Sequence, residues 1–492
     1  MRLSLCLSFV IILVVVTGCA PFAPRSADIA LPDLPARYSL YVENATLSMP
    51  WWQEFGSSEL DRLMDIALSQ GFSIRQARAR LDQARASALK AGASLVPSVS
   101  LEAGSSHTRQ KWKNGSSSGQ TYTTTKEHSL GLAAQYELDL WDRIGSTREA
   151  ERLEAQATQE DVHTAFMTLS GQIVENWVEI LQVRGEQALV KEQIQTNERY
   201  LEVLELRFDN SLSTALDVLQ QREALARSRA MLPTLEARER VLMHETAVLM
   251  GKSPDFDLGL TGHGLPEPLP LPGTGIPADL LASRPDVRAA GLRLKSSQWE
   301  IASARADRLP AITITGRAEY SSDQFNTLFD NWLANLAAGL TGPIFDGNRR
   351  SAEVDRTRAV ARERLAAYQQ TVMEAVRDVE NALVNIDKQQ AYLAATQKQL
   401  DIARMTLQQA RQRYENGVVT YLTVLTSLLN VQSLERTLVQ GQADLLLYQV
   451  GLHRALGGTW YRKLEEQAQT SIHDKAVTPT MDTTHTSEQG QS

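Results

Sequence analysis

Apolar residues recur at steps of three and four over two long stretches of the chain. In the first, from about Ser146 to Gly251, Val162, Phe166, Leu169, Ile173, Trp177 and Ile180 set the pattern, and Ile194, Leu201, Leu204 and Phe208 continue it. In the second, from about Arg350 to Gly457, Val372, Val379, Leu383 and Ile386 are followed by Leu400, Ala403, Leu407, Ala410 and Tyr414. This is helical periodicity with a thin apolar seam, held for roughly 60 residues each time. At 1.5 Å per residue such a helix is about 90 Å long, more than a globular core absorbs. Short turns interrupt both stretches, at Arg207 to Thr214 and at Arg413 to Thr420. Asn210 and Ser211 mark the first turn, and Asn416 and Gly417 the second. Asn and Gly accept the left-handed conformation that ends a helix. Thr214 followed by Asp217 predicts a cap for the returning helix, and Thr420 holds the same place in the second copy. Each stretch therefore reads as a hairpin of two long antiparallel helices.

Elsewhere the period is two. Val99, Leu101 and Ala103 alternate with Ser98, Ser100 and Glu102, and Leu130, Leu132, Ala134, Tyr136 and Leu138 alternate with Gly131, Ala133, Gln135, Glu137 and Asp139. A polar loop is expected between them, from about Ser105 to Thr125. Ile312, Ile314, Gly316, Ala318 and Tyr320 alternate with Ala311, Thr313, Thr315, Arg317 and Glu319. After a loop at about Ser321 to Asn331, Leu336, Ala338 and Leu340 alternate with Asn335, Ala337 and Gly339. These are strands with one apolar face. A helix precedes each pair, Leu60 to Leu89 (divided at Gly71) and Leu281 to Arg308.

The order helix, strand, strand, long hairpin thus occurs twice, in residues 60–251 and 281–460, joined by a Pro-rich linker at 252–280. Leu95-Val96-Pro97 matches Arg308-Leu309-Pro310 at an offset of 213, Trp141-Asp142 matches Phe345-Asp346 at 204, and Phe208 matches Tyr414 at 206. The changes in offset fall in loops, as in a duplicated unit. The strand faces are too apolar to leave in water, and a closed barrel is the strand arrangement that spans lipid. Four strands do not close one alone. The expected fold is therefore mainly α with membrane β: three chains giving four strands each to a 12-stranded β-barrel, continued by a tube of helices. Gln135, Glu137, Asp139, Arg317 and Glu319, on or at the end of the polar face, are candidate lumen residues. Two soluble β-hairpins packed on helices are the alternative.

The N-terminus adds a compartment. Met1-Arg2, an apolar run from Leu3 to Val16, and Val16-Thr17-Gly18-Cys19 have the layout of a bacterial lipoprotein signal, with 1–18 removed and Cys19 acylated. Residues 19–59 would follow as an extended, lipid-tethered segment, and 461–492 as a polar tail without stable structure. Cys6 leaves with the signal, so no internal disulfide is expected. With Arg2 removed, 49 basic side chains face 58 acidic ones, which argues against a nucleic-acid partner. The eight His are scattered, and no cluster of metal ligands or catalytic constellation is evident. Gly457-Gly458 lacks the Lys and Ser/Thr of a phosphate loop. No cofactor and no enzymatic activity are expected.

Val16-Thr17-Gly18-Cys19, Leu281-Ala282-Ser283-Arg284-Pro285-Asp286-Val287, Gly342-Pro343-Ile344-Phe345-Asp346-Gly347, Gly417-Val418-Val419-Thr420-Tyr421-Leu422 and Leu456-Gly457-Gly458 follow one another across the two halves. In that order they resemble the TolC-like outer-membrane factors, in particular the lipoprotein branch of the OprM/NodT type. The resemblance covers nearly the whole mature chain. It implies a homotrimeric outer-membrane channel with a long periplasmic helical extension and a belt of shorter segments, held in outer-membrane lipid. It implies passive export of drugs or other small toxic molecules, with a periplasmic adaptor (membrane fusion) protein and an RND-type inner-membrane pump as partners. It also implies a periplasmic gate on the second hairpin's returning helix, where relatives carry a leucine and, four residues later, an aspartate. Here those positions hold Leu422 and Thr426, so the leucine is kept and the acid is not. Asp217 on the first hairpin is either a substitute acid or only a helix cap. The two turns, with Asn210, Ser211 and Thr214 and with Asn416, Gly417 and Thr420, are the expected adaptor contact. An outer-membrane channel for type I protein secretion and a pore-less, lipid-anchored coiled-coil scaffold are the alternatives.

The N-terminal reading is checked by the intact mass of membrane-extracted protein. The expected mass lacks residues 1–18 and carries lipid on Cys19; an unprocessed or lipid-free mass contradicts it.

Overall fold

The computed structural model of the protein describes residues 21–24, 34–40, 50–113, 120–275 and 277–457. The signal at 1–18, Cys19 and the tail at 461–492 lie outside the described residues. The chain divides into two units, one of residues 1–32, 79–160 and 288–371, the other of 33–78, 161–287 and 372–492.

The helices form where the 3.6-residue period runs. Besides a single turn at Leu280–Ser283, which breaks at Arg284 within the helix expected over Leu281 to Arg308, they are α1 (Ser58–Gln70), α2 (Phe72–Ala93), α3 (Arg143–Asp209), α4 (Ala215–Leu249), α5 (Pro285–Ala306), α6 (Arg349–Glu415) and α7 (Tyr421–Leu456). Both α3 and α6 have 67 residues, about 100 Å of helix. Ser57 caps α1, its hydroxyl accepting the Leu60 amide at 3.3 Å. Gly71 separates α1 from α2 as expected. Among the described residues no helix is long and apolar enough to cross a membrane.

The first unit holds the sheet. Strands β1 (Ser98–Lys113), β2 (Gln120–Leu138), β3 (Ala311–Ser322) and β4 (Trp332–Thr341) pair antiparallel in the order β1-β2-β3-β4. The register pairs Leu101 with Leu132, Leu132 with Ala318, Tyr136 with Ile314 and Ile314 with Ala338. One apolar face therefore runs across all four strands, because directly paired residues point to the same side. Glu102, Gln135, Glu137, Arg317 and Glu319 fall on the other face.

The expected 12-stranded closed barrel is not what the chain forms. Among the described residues it forms one open sheet of four strands, with three ladders and with β1 and β4 as unpaired edges. Four strands offer too short a circumference for the last to return to the first. The polar loop expected at Ser105 to Thr125 is also mostly strand. Pairing continues from Gly104↔Ser129 out to Lys113↔Gln120. The sequence there is mostly polar, so no alternation marks it. The ladder itself is made by backbone groups and does not need one.

At the base of the sheet the first unit fixes the strand-to-helix turns. Trp141 donates its indole N–H to the Pro310 carbonyl at 2.8 Å. Asp142 and Asn348 both take left-handed backbone, φ 58° and 67°, each just before a long helix. Arg350 pairs with Asp307 at 2.8 Å.

The second unit packs the rest of α3 and α6 with α4 and α7. One cluster joins Leu204 of α3, Val218 and Ala224 of α4, Ala410 of α6, and Tyr421, Val424 and Leu425 of α7. A second joins Leu400 and Ala403 of α6 to Val431 and Leu434 of α7. Gly441 lets α6 and α7 approach, since a Cβ there would lie 2.9 Å from the Leu393 side chain. Arg184 pairs with Glu239 at 2.7 Å and donates to the carbonyls of Leu260 and Gly262, tying the linker to both helices of the first hairpin. Near the end of α7, His453 is 2% exposed and stacks on Trp51 with ring centroids 5.1 Å apart.

Burial without a polar partner pushes the His453 imidazole down to about 4. A histidine depressed when folded contributes stability that is complete above its unfolded value of 6.5 and is lost as pH falls towards about 4. The loss reaches roughly 3 kcal/mol, since one pKa unit is worth 1.36 kcal/mol. Melting of the wild type between pH 7 and pH 4 should show this slope, and His453→Phe should flatten it. Equal slopes in the two proteins would contradict the assignment.

Candidate functional site: the two hairpin tips

Both tips use the same backbone device. In the first, the Leu212 amide donates to the Arg207 carbonyl at 2.7 Å and the Ser211 amide to the Phe208 carbonyl at 2.8 Å. In the second, Val418 donates to Arg413 at 2.8 Å and Gly417 to Tyr414 at 2.9 Å. This is the Schellman closure of a helix C-terminus, which needs a left-handed residue at its centre. Ser211 supplies φ 59° and Gly417 φ 71°. They lie 206 positions apart, as do Asp142 and Asn348, so by backbone conformation Asp142 corresponds to Asn348 and not to Asp346, the match expected from the sequence at an offset of 204. Asn210 adds a side-chain bond to the Leu206 carbonyl at 2.7 Å. No residue among the described ones gives Asn416 the same role.

The returning helices start differently. Thr214 caps α4 in a full capping box: its hydroxyl accepts the Asp217 amide at 3.2 Å, and its own amide donates to the Asp217 carboxylate at 3.0 Å. The structure thus shows Asp217 in its capping role. Thr420 makes no side-chain cap to α7. The third helical position there is Thr423, which has no carboxylate to reach back.

Just behind the tips lies a buried chain of uncharged polar groups in the second unit. The Tyr421 hydroxyl donates to Gln221 Oε1 at 2.7 Å. Gln221 Nε2 donates to the Asn197 carbonyl at 2.8 Å, and Asn197 Nδ2 donates to Ser228 Oγ at 3.0 Å. Gln193 Nε2 reaches the Gln432 carbonyl at 3.0 Å. These bonds join α3, α4 and α7 where every polar group needs a partner. Burial raises the Tyr421 hydroxyl pKa, so it stays protonated as the donor. The sequence reading missed this chain, although a signal existed. Asn197 stands between Ile194 and Leu201, Gln221 between Val218 and Leu225, and Gln432 four residues after Leu428, all at seam spacing.

Of the predicted gate residues, Leu422 is 48% exposed beside Tyr421, which is 2% exposed. Thr426 bonds back to the Leu422 carbonyl at 2.9 Å within its own helix. The predicted lumen residues separate into four settings. Arg317 contacts Glu319 at 2.9 Å and Glu102 at 3.4 Å, a cluster to which the sequence reading did not assign Glu102. Glu137 is held by Arg143 at 2.8 Å. Asp139 accepts the Ile144 and Gly145 amides at 3.1 and 2.7 Å, capping α3. Gln135 pairs across the sheet with Ser98 and Thr315. No group of three or more His, Cys, Asp or Glu suited to a metal ion occurs among the described residues.

Residues 63–241 and 276–458, the two duplicated halves, match the family described as outer membrane efflux protein. The chain belongs to this family. It is 31% identical over 449 residues to the pyoverdine export outer membrane protein OpmQ of Pseudomonas aeruginosa, covering 90% of this chain and 94% of that protein. It is 28% identical over 413 residues to the toluene efflux pump outer membrane protein TtgI of Pseudomonas putida, covering 82% and 86% of the two. A crystal structure of a membrane protein from Pseudomonas aeruginosa superposes with a TM-score of 0.82 at 27% identity, covering 89% of this chain and 100% of that one. The protein is an efflux channel of the outer membrane, and its long helices form a periplasmic extension.

The channel's tips yield two opposite expectations. Ser211→Gly relieves a left-handed non-glycine residue and should stabilise by up to about 1 kcal/mol. Tyr421→Phe leaves Gln221 Oε1 buried without its donor and should destabilise by about 1–3 kcal/mol. Denaturant midpoints check both, and a neutral Tyr421→Phe would show that the buried chain contributes nothing.

Proposed function

We propose that this channel is the outer-membrane part of a tripartite efflux assembly. It passes small toxic molecules, delivered by an RND-type inner-membrane pump through a periplasmic adaptor, to the exterior. The reading is supported by the repetition of the tip: two closures of identical backbone construction, on two long hairpins, offer a partner the same feature twice. The relatives' names speak of pyoverdine and toluene, which supports small molecules as cargo. The protein would work as a homotrimer, anchored by lipid on Cys19 in the manner of the lipoprotein branch. The unpaired edges of β1 and β4 support self-association, because exposed strand edges invite pairing with another chain.

Within this reading the turns at Asn210, Ser211, Thr214, Asn416, Gly417 and Thr420 receive the adaptor. Leu422, one residue from the anchored Tyr421, closes the pore. Thr426, already bonded to its own helix, supplies no charge there. Arg317, Glu319, Glu137 and Gln135 belong to the polar face of the sheet along which cargo leaves, with Asp139 at the helical end of that face.

Gly417→Val places a branched side chain at φ 71° and should open the second turn. Crosslinking to its periplasmic adaptor should fall at least fivefold, while the amount in outer-membrane fractions stays unchanged. Undiminished crosslinking would move the docking site away from this turn.

A further inference from the structure

A cavity of about 440 Å³ lies in the second unit, above the buried polar chain, between α3 of the first hairpin and α6 and α7 of the second. This is within the range of small-ligand sites, about 300–1,000 Å³. Its wall carries three arginines, Arg199, Arg207 and Arg411, against one carboxylate, Glu415. Two of the arginines lie over aromatic rings and not against acids. The Arg207 guanidinium is 4.9 Å from the Tyr414 ring centroid, and that of Arg411 is 5.5 Å from Tyr200. Two donors from opposite hairpins, Arg207 Nε and the Tyr414 hydroxyl, are buried with no hydrogen-bond partner. Both atoms are closed off by the packing around them, so what the cavity wall offers a ligand is the positive charge of its three guanidinium groups.

We propose that this pocket binds a small organic carboxylate carried on an apolar body. The carboxylate is held by the guanidinium groups of Arg199, Arg207 and Arg411 on the cavity wall. The apolar body rests on Val203, Leu204 and Val424. Such a ligand touches α3 and α6 at once and so ties the two hairpins together near their tips. An acidic protein segment would suit the same charges. The volume of about 440 Å³ and the apolar part of the wall favour the small molecule. The binding stands or falls independently of what the channel transports.

The test titrates benzoate and its neutral isostere benzamide into purified full-length channel in detergent, read by calorimetry. Saturable benzoate binding is expected, with benzamide at least tenfold weaker. Arg207→Gln should weaken benzoate at least tenfold. Arg199→Gln, at an exposed position that tolerates substitution, should weaken it severalfold and keeps the test valid if the first variant folds poorly. No saturable benzoate binding, equal binding of the two probes, or full affinity in Arg199→Gln together with a folded Arg207→Gln overturns the proposal. A hexaglutamate peptide that binds while benzoate does not would assign the arginines to a protein partner, and also overturns it.

Discussion

The apolar seam on each long helix is narrow, and no single helix of this length buries it alone. Everything else in the second unit follows from that constraint. A returning helix must cover the seam, so each of α3 and α6 must end in a tight turn, and α4 and α7 must start almost at once. Leu204, Val218, Ala410 and Tyr421 then meet in one cluster drawn from four helices. The seam is sparse enough that polar residues enter it. Asn197, Gln221 and Gln432 sit among apolar neighbours and satisfy one another, which specifies one register between the hairpins where leucines alone would allow several.

That arrangement gives the tip region its mechanical character. Tyr421 is fixed by packing and by its bond to Gln221, while the next residue, Leu422, projects half-exposed from the same first turn of α7. The half-exposed Leu422 side chain is thus carried on a turn whose first residue is held in place. A partner that opens the channel must favour a different packing of these hairpins, since equal binding to both arrangements shifts nothing. The charges on the strands are managed locally. Glu137 and Asp139 are committed to Arg143 and to the start of α3. Arg317, with Glu102 and Glu319, is the polar cluster out on the sheet.

The helices were legible because their seam repeats without interruption. The duplication was legible because Phe208 and Tyr414 mark equivalent turns. The tips were legible from Asn210, Gly417 and the Thr214–Asp217 pair, whose turn and capping preferences are local. The extent of β1 and β2 was not, because residues 105–113 and 120–125 are mostly polar and their pairing is made by the backbone. Closure of the sheet was not either: alternation at Leu132 or Ile314 reports a two-faced strand and says nothing of what its edges meet. The buried polar chain was hidden for another reason. Asn197 and Gln221 look like breaks in a seam until the partner that satisfies each is placed opposite.

The central claim is that this chain conducts through a pore closed at Leu422. Planar-bilayer recording of the purified wild type and of Leu422→Ser tests it most directly. The account predicts that both proteins insert, that the wild type gives small or infrequent currents, and that Leu422→Ser opens more often at the same voltage. Insertion of both proteins without current from either would contradict the account.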